Sequence, residues 1–458
     1  MKKYSLAISI LIFQFMHTGC NPEFLDLKRD KAQMVPTSLS DFKAILDNFA
    51  DINGNSGYSL GILSADEYYI LDETWDLLSA AHQRNAYIWA EDIFESEDGM
   101  DWNTSYKKIL YANLVLEGLD KLTPATEDME EYRHIKGSAL FLRGLAYYNL
   151  SQLFSPTLAD SENNQYGLPL RLESDPTVVS ERSSVEETYR QIIQDVSSAS
   201  EFLSDTFVIN TRPTRKAAYA LLSRIYLQIG EYEKSLGFAE SALAIDGTLL
   251  DFNTVDPSKR YPFPPNGAGN PEVIYYEVSN TSTVFTVSRS RIDTNLYDLY
   301  DEDDLRKDLY FYENTDGSHS FRGSYCGAYV YFTGPANDEL YLNKAEVLIR
   351  SGNIQDGLDV LNTLLINRYR TDHFHPYMGI NQREALQVVL SERRKELLLR
   401  GVRWSDLRRL NRHKETEKTL ERTLHDTKYE LPPNDSKYTF PVPESVIINS
   451  NIKQFPRK

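Results

Sequence analysis

The sequence predicts a mainly α protein: helix pairs forming a repeat scaffold, interrupted by a long irregular insertion that carries short strands. Three observations predict it. Apolar residues recur at helical spacing over many separate stretches between Ser38 and Leu410. One helix–turn–helix wording, TRKAAYALLSRIYLQIGEYEKSLGFAESALAID at 214–246, returns as ELYLNKAEVLIRSGNIQDGLDVLNTLLINR at 339–368. Between them, residues 247–336 keep no sustained period and are rich in Pro, Gly and Tyr.

Taken in order, Ser38–Phe49 reads as a short helix with Leu39, Phe42, Ile45, Leu46 and Phe49 on its apolar face. Residues 50–100, dense in Asn, Gly, Asp and aromatics, read as loops with short helices. Trp102 opens a helix marked by Tyr106, Ile109, Leu110, Asn113, Leu116 and Leu119, and Pro124 ends the turn after it. A second helix, about Glu130–Phe154, completes an αα-hairpin. Ser184 with Glu187 three residues later predicts a capped helix to about Leu203.

The two repeated stretches resemble tetratricopeptide repeats. Ser223 and Ala345 are the small residues where helices cross, and Gly230 and Gly352 make the turns. The glycines lie 122 positions apart, so the repeats are not in tandem along the chain. In the insertion, EVIYYEV (272–278) reads as a strand and Asp301–Asp304 as a solvated helix start.

After the second repeat, Asn381 and Glu384 predict another capped helix. Glu396 stands four residues before Arg400, the order for an ion pair along a helix, and Gly401 stops or bends that helix. Trp404, Leu407 and Leu410 start a further apolar stripe. The ending KYTFPVPESVIINSNIKQF reads as non-helical.

Composition excludes several functions. The net charge is −18, from 49 basic and 67 acidic residues. The basic cluster from Arg393 to Arg412 shares its helices with Glu392, Glu396 and Asp406, which argues for ion-paired architecture and against nucleic acid. Gly57-Tyr58-Ser59-Leu60-Gly61 fits G-x-S-x-G, but a polar, turn-like run precedes it where a nucleophile elbow needs a buried strand. His373 and His375 lack a third ligand, and no H-E-x-x-H or phosphate loop occurs. We therefore expect no enzyme, no catalytic residue, no cofactor and no metal. A carboxylate pair of a glycoside hydrolase is not placed by sequence.

The N-terminus reads as a processing signal. Lys2 and Lys3 precede the apolar Leu6–Phe15, too short to span a bilayer, and Gly19-Cys20 follows. This resembles a lipoprotein cleavage site, with His17 where leucine is usual. The expected organisation is a signal peptide at 1–19, a lipidated tether at 20–36 and a single domain at 37–458. With Cys20 acylated, Cys326 has no partner for a disulfide.

ERRKEL followed by RGVRWSDLRRL resembles the C-terminal signature of SusD/RagB-type outer-membrane lipoproteins, with Leu399 and Arg400 departing from the usual pattern. The Trp102–Asn113 stretch, the FLRGLAYY helix, the PTRKAAYALLSRIYL and NDELYLNKAEVLIRSG repeats and the FPVP tail follow in that family's order. The resemblance implies a surface lipoprotein anchored in the outer membrane by its lipid. It would capture a glycan or oligosaccharide and deliver it to a partner TonB-dependent outer-membrane transporter. A helical-repeat scaffold binding only proteins and a peptide-binding uptake lipoprotein are the alternatives.

A sugar ring offers an apolar face to aromatic side chains and hydroxyls to amides and carboxylates. Aromatics outside the helical periods cluster in two regions. The first holds Tyr68, Tyr69, Trp75, Tyr87 and Trp89, with Asp66 and Asp72 nearby. The second, in the insertion, holds Tyr275, Tyr276, Tyr297, Tyr300, Tyr325, Tyr329 and Tyr331. The expected ligand-binding set is Trp75, Tyr68, Tyr69, Asp66, Tyr297, Tyr325 and Tyr329, led by Trp75 because its setting, DETWD, is charged.

The first twenty residues carry one prediction. Each buried CH₂ of an acyl chain contributes about 0.8 kcal/mol, so a diacylated cysteine anchors stably. Cys20→Ala should move the protein to the soluble fraction; unchanged membrane fractionation would remove the anchor.

Overall fold

The computed structural model describes residues 36–457 except 207–208, 280–281 and 287. The signal segment, Cys20 and the tether up to residue 35 lie outside the described residues. The described residues from 39 onward form one compact unit.

The helices that matter are α1 (Leu39–Leu46), α2 (Asp72–Asp76), α3 (Met100–Leu119), α4 (Met129–Phe154), α5 (Val185–Phe202), α6 (Arg215–Ile229), α7 (Tyr232–Ile245), α8 (Leu305–Tyr310), α9 (Asn337–Arg350), α10 (Ile354–Leu365), α11 (Gln382–Glu396) and α12 (Arg403–Leu410). Each of α3 to α7 packs on the next, α7 packs on α9, and α9 packs on α10 and α11. The two repeats, far apart in sequence, are thus direct neighbours, and the insertion loops out of a spatially continuous stack. This stack needs tight turns and small crossing residues. Gly230 and Gly352 end α6 and α9 with φ of +84° and +87°, a conformation that costs glycine nothing. Ser223 and Ala345 are fully buried at the crossings.

The capping boxes expected at Ser184 and Asn381 form. The Ser184 side chain accepts from the Glu187 N–H while Glu187 accepts from Ser184, and Asn381 and Glu384 do the same for α11.

Among the described residues, four antiparallel pairs of short strands complete the fold: β1 (Tyr68–Ile70) with β3 (Ser290–Ile292), β2 (Val278–Ser279) with β6 (Tyr331–Phe332), β4 (Phe311–Glu313) with β5 (His319–Phe321), and β7 (Leu420–Leu424) with β8 (Thr427–Leu431). The β1–β3 pair ties the aromatic region after residue 66 to the insertion, with Tyr69 opposite Arg291.

Several expectations need correction. Residues 272–278 are not a strand: the Ile274 and Tyr275 N–H groups donate to Pro335 and that of Tyr276 to Asn210, so no single neighbour strand exists. Only Val278–Ser279 pairs regularly. Asp304 does start α8 by accepting from the Arg306 N–H, yet it is buried, not solvated. The Glu396–Arg400 pair does not form, because α11 ends at Glu396 and the chain turns through Leu399 (φ +53°) and Gly401 (φ +73°). Glu396 instead bonds Arg306 and Arg368, and Arg400 bonds Asp338 at 2.9 Å. The tail contains a short helix, Glu444–Ile448. The β7–β8 hairpin was not foreseen; its alternation is regular, but its turn residues His425 and Asp426 hold positive φ without the usual glycine.

The basic cluster is woven into the core. Arg393 bonds Asp406 at 2.7 Å, and Arg409 bonds both Asp406 and Glu346, holding the Glu346 carboxyl down at about 2 against the opposing effect of burial. At its centre Arg306 donates to Asp304, Glu392 and Glu396, and Arg368 to Glu396 and Glu272, all within 2.7–2.9 Å. Lys395 bonds Asp304 and Glu392.

Two predictions follow from this packing. Trp404 is fully buried between Tyr438 and Phe440, with ring centroids at 4.7 and 5.4 Å. Trp404→Ala should lower the unfolding free energy by about 3–5 kcal/mol in a denaturant titration. Glu67 is buried, its Oε1 accepting from the Leu399 N–H at 2.8 Å and its Oε2 unpaired. Burial first, and then the Asp66 charge, push its carboxyl up to about 7 from an ordinary 4.5. The folded state therefore keeps a proton that the unfolded chain releases, so stability falls as pH rises from 4.5 to 7. Glu67→Gln should flatten part of that fall; identical slopes of melting midpoint against pH would refute it. Glu272, pushed up to about 7 by burial, contributes a slope of the same sign in the variant.

Candidate functional site

The expected site residues fall into two groups. The first is interior. The guanidinium of Arg422, on β7, lies 3.7 Å from the Tyr87 ring centroid, 5.0 Å from that of Trp89 and 5.2 Å from that of Tyr68. It donates to the carbonyls of Leu63, Ala65 and Tyr87. Tyr68, Tyr87 and Trp89 are each at most 3% exposed, so they form a cradle for a buried cation and offer a ligand no ring face. In the insertion, Tyr275, Tyr276, Tyr300, Tyr325 and Tyr331 are also buried. Tyr325 donates to Glu272 at 2.9 Å and Tyr300 to the Lys395 carbonyl at 2.8 Å. For Tyr68 and Tyr325 this corrects the expected stacking role: both belong to the core.

Asp66 is spent as well. It bonds Arg403 at 2.7 and 3.0 Å, Arg394 at 3.3 Å and Lys418 at 2.6 Å. Burial would raise its carboxyl, but Arg403 and then Arg394 hold it well below the usual range. It fixes the β1 end of the loop to α11 and α12, and its charge is already shared among three cations.

The second group is at the surface. Trp75, on α2, is half-buried, and its indole N–H has no partner. The His425 ring meets it edge-on at 6.1 Å. His425 reaches Asp76 at 2.9 Å, and its N–H donates to Asp72 at 3.1 Å, so the β7–β8 turn clamps α2. The hydrogen bond to Asp76 raises the His425 pKa. Leu71 (43% exposed) and Leu77 (74%) stand at the two ends of this short acidic helix. Tyr69 is half-buried on β1. Tyr297 stacks face to face on His319 at 3.5 Å, with Lys307 5.0 Å from its ring. Tyr329 is 65% exposed. β1–β3 pairing, and the Ser320 hydroxyl donating to the Ser290 carbonyl at 3.0 Å, carry these elements on one connected framework.

Sequence reading missed His425 because its contact with Trp75 joins residues 350 positions apart. The alternation LERTL-HD-TKYEL was the available signal for the hairpin that delivers it.

For other chemistry, Ser59 opens the helix Ser59–Ser64 and its hydroxyl donates to Asp101 at 2.8 Å, while Asp101 also accepts from the Ser59 and Leu60 N–H groups. That carboxylate caps a helix start. Among the described residues one carboxylate trio, Glu272, Asp338 and Glu396, brings one oxygen each within 4.8 Å of the others. Arg368 lies between Glu272 and Glu396, and Arg400 bonds Asp338, so guanidinium groups already neutralise the trio. No helix among the described residues is long and apolar enough to cross a membrane.

Comparison with known proteins agrees with this fold. Residues 23–227 match a family model described as starch-binding associating with outer membrane, and residues 339–456 match the SusD family model. A curated relative, SusD-like protein P2 of Formosa agariphila, is 24% identical over 252 residues, which is 51% of this chain and 45% of that one. The chain thus matches about half the length of that relative. Among solved structures, a protein described as sugar-binding from Bacteroides vulgatus superposes with a TM-score of 0.75 at 23% identity, covering 93% of this chain and 99% of that one. A SusD superfamily protein from Bacteroides thetaiotaomicron gives 0.73 at 23% identity, covering 92% and 100%. With family models matching both its N-terminal half and its C-terminal signature, the chain belongs to the SusD/RagB family.

Proposed function

We propose that this protein captures a glycan at the cell surface and passes it to a TonB-dependent outer-membrane transporter, anchored by lipid at Cys20. The observation that carries the reading is the family match at both ends of the chain, one half of it to a model described as starch-binding. The solved structure described as sugar-binding shares the fold over 93% of this chain. The exposed aromatic surface supports the same reading. Trp75 offers ring surface for the C–H face of a sugar, and Asp72 and Asp76 stand on the same helix for hydroxyls. Tyr69, Tyr297 and Tyr329 are the other expected ligand residues with ring surface outside the core. The protein acts by binding and presentation, not by bond cleavage.

A glycan array on residues 21–458 tests the reading, and calorimetry with the glycan it finds tests the site. A stacked ring contributes up to about 1.5 kcal/mol. Trp75→Ala should therefore weaken binding about tenfold, or 1.4 kcal/mol, with little change in melting midpoint. Equal affinities would remove Trp75 from the site; a collapsed melting curve would assign it to the core. An array without any binding glycan would overturn glycan capture itself.

A further inference from the structure

A second feature of the surface lies away from Trp75. The loop after α4, the C-terminal end of α12 and the segment 434–439 enclose a cleft of about 430 Å³. That is within the range of about 300–1,000 Å³ of small-molecule sites. One wall is Arg408. It is 4% exposed, and its Nη atoms donate only to main-chain carbonyls at the C-terminal end of α4: Ser151 at 3.2 Å, Gln152, and Ser155 at 2.5 Å. No carboxylate pairs with it among the described residues, and its Nε has no partner. Burial pulls its pKa below the usual arginine value. The carbonyls at the C-terminal end of α4 thus hold the guanidinium on the cleft wall, and its Nε–H is a buried donor still without an acceptor.

The rest of the lining decides what that is. Arg412 adds a second cation, but Asp160, Glu162 and Asp435 place three carboxylates around the same space. The cleft therefore does not favour an anion, and its polar walls do not favour an apolar ligand. The polar groups are held in place before any ligand arrives. Asn163 donates to Asp160 at 2.8 Å, Asn434 to the Asn411 carbonyl at 2.7 Å, and Asn411 to the Tyr438 hydroxyl at 2.9 Å. Tyr438 is itself locked against Trp404. Fixed guanidinium, carboxylate and amide groups are the donors and acceptors that vicinal hydroxyls need.

We propose that this cleft is a second saccharide site, taking a neutral mono- or disaccharide unit between Arg408, Asp160 and Asn163. The proposal rests on the glycan-capture reading but names a separate place on the molecule. It gives the protein a second point of attachment to a long chain, where linked sites raise the apparent affinity beyond either alone.

Saturation-transfer NMR of residues 21–458 with maltose, cellobiose, xylobiose and lactose tests it. At least one sugar should bind. Its affinity should fall about tenfold in Asp160→Ala/Asn163→Ala, two half-buried positions, and in the exposed Ala159→Trp, which fills the cleft. Trp75→Ala should leave that binding unchanged, and all melting midpoints should match the parent. A signal lost in Trp75→Ala and kept in both cleft variants would overturn the second site while leaving glycan capture intact. No signal from any of the four sugars would also overturn it, and the array result then decides separately whether glycan capture survives.

Discussion

The fold turns on one buried ionic junction. Arg306 and Arg368, both fully buried, share the carboxylate of Glu396, and each takes further carboxylates from elsewhere in the chain. Arg306 belongs to the insertion, Arg368 to the end of the second repeat, Glu272 to the start of the insertion and Glu392 and Glu396 to α11. Four segments therefore meet at charges that cannot be left unpaired. Ion pairs so deep add little net stability, because desolvation offsets most of the attraction. Removing one partner is a different matter, at about 3–5 kcal/mol, since the other charge stays buried. The junction thus fixes where the insertion sits on the helical stack more than it fixes how stable the stack is.

The same logic extends outward from α11. Arg394 and Arg403 reach Asp66, the Leu399 N–H reaches Glu67, and Arg422 from β7 fills the cradle of Tyr68, Tyr87 and Trp89. The loop that carries Trp75 is consequently held from behind by cations of the C-terminal segments, and clamped from the side by His425. Lys108 and Glu277, at 2.6 Å and both buried, fasten the insertion to α3 in the same way. A surface held in this way loses little entropy on binding, which supports the glycan capture proposed above.

The helical stack was legible because its signals are local. Capping boxes at Ser184 and Asn381, glycine turns at 230 and 352, and apolar stripes all act within a few residues, where sequence spacing equals spatial spacing. The aromatic clusters were visible too, but not their sorting. Tyr68 and Tyr69 are adjacent in sequence, and strand alternation sends one to the Arg422 cradle and leaves the other half-exposed. Tyr325 and Tyr329 differ by one short turn, yet one bonds Glu272 and the other projects at 65% exposure.

What the sequence by itself determined is the scaffold, the family wording of the C-terminal signature and the identity of the charged and aromatic residues. The tertiary structure alone decided how these are paired. Glu396 stood ready for Arg400 by helical spacing, but the helix ended between them, and each found a partner brought from far along the chain. Buried charge seeks the nearest opposite charge in space, and only the folded chain defines which that is. The same holds at the surface: whether a tyrosine stacks inward or faces solvent depends on what the insertion covers when it docks on the helices.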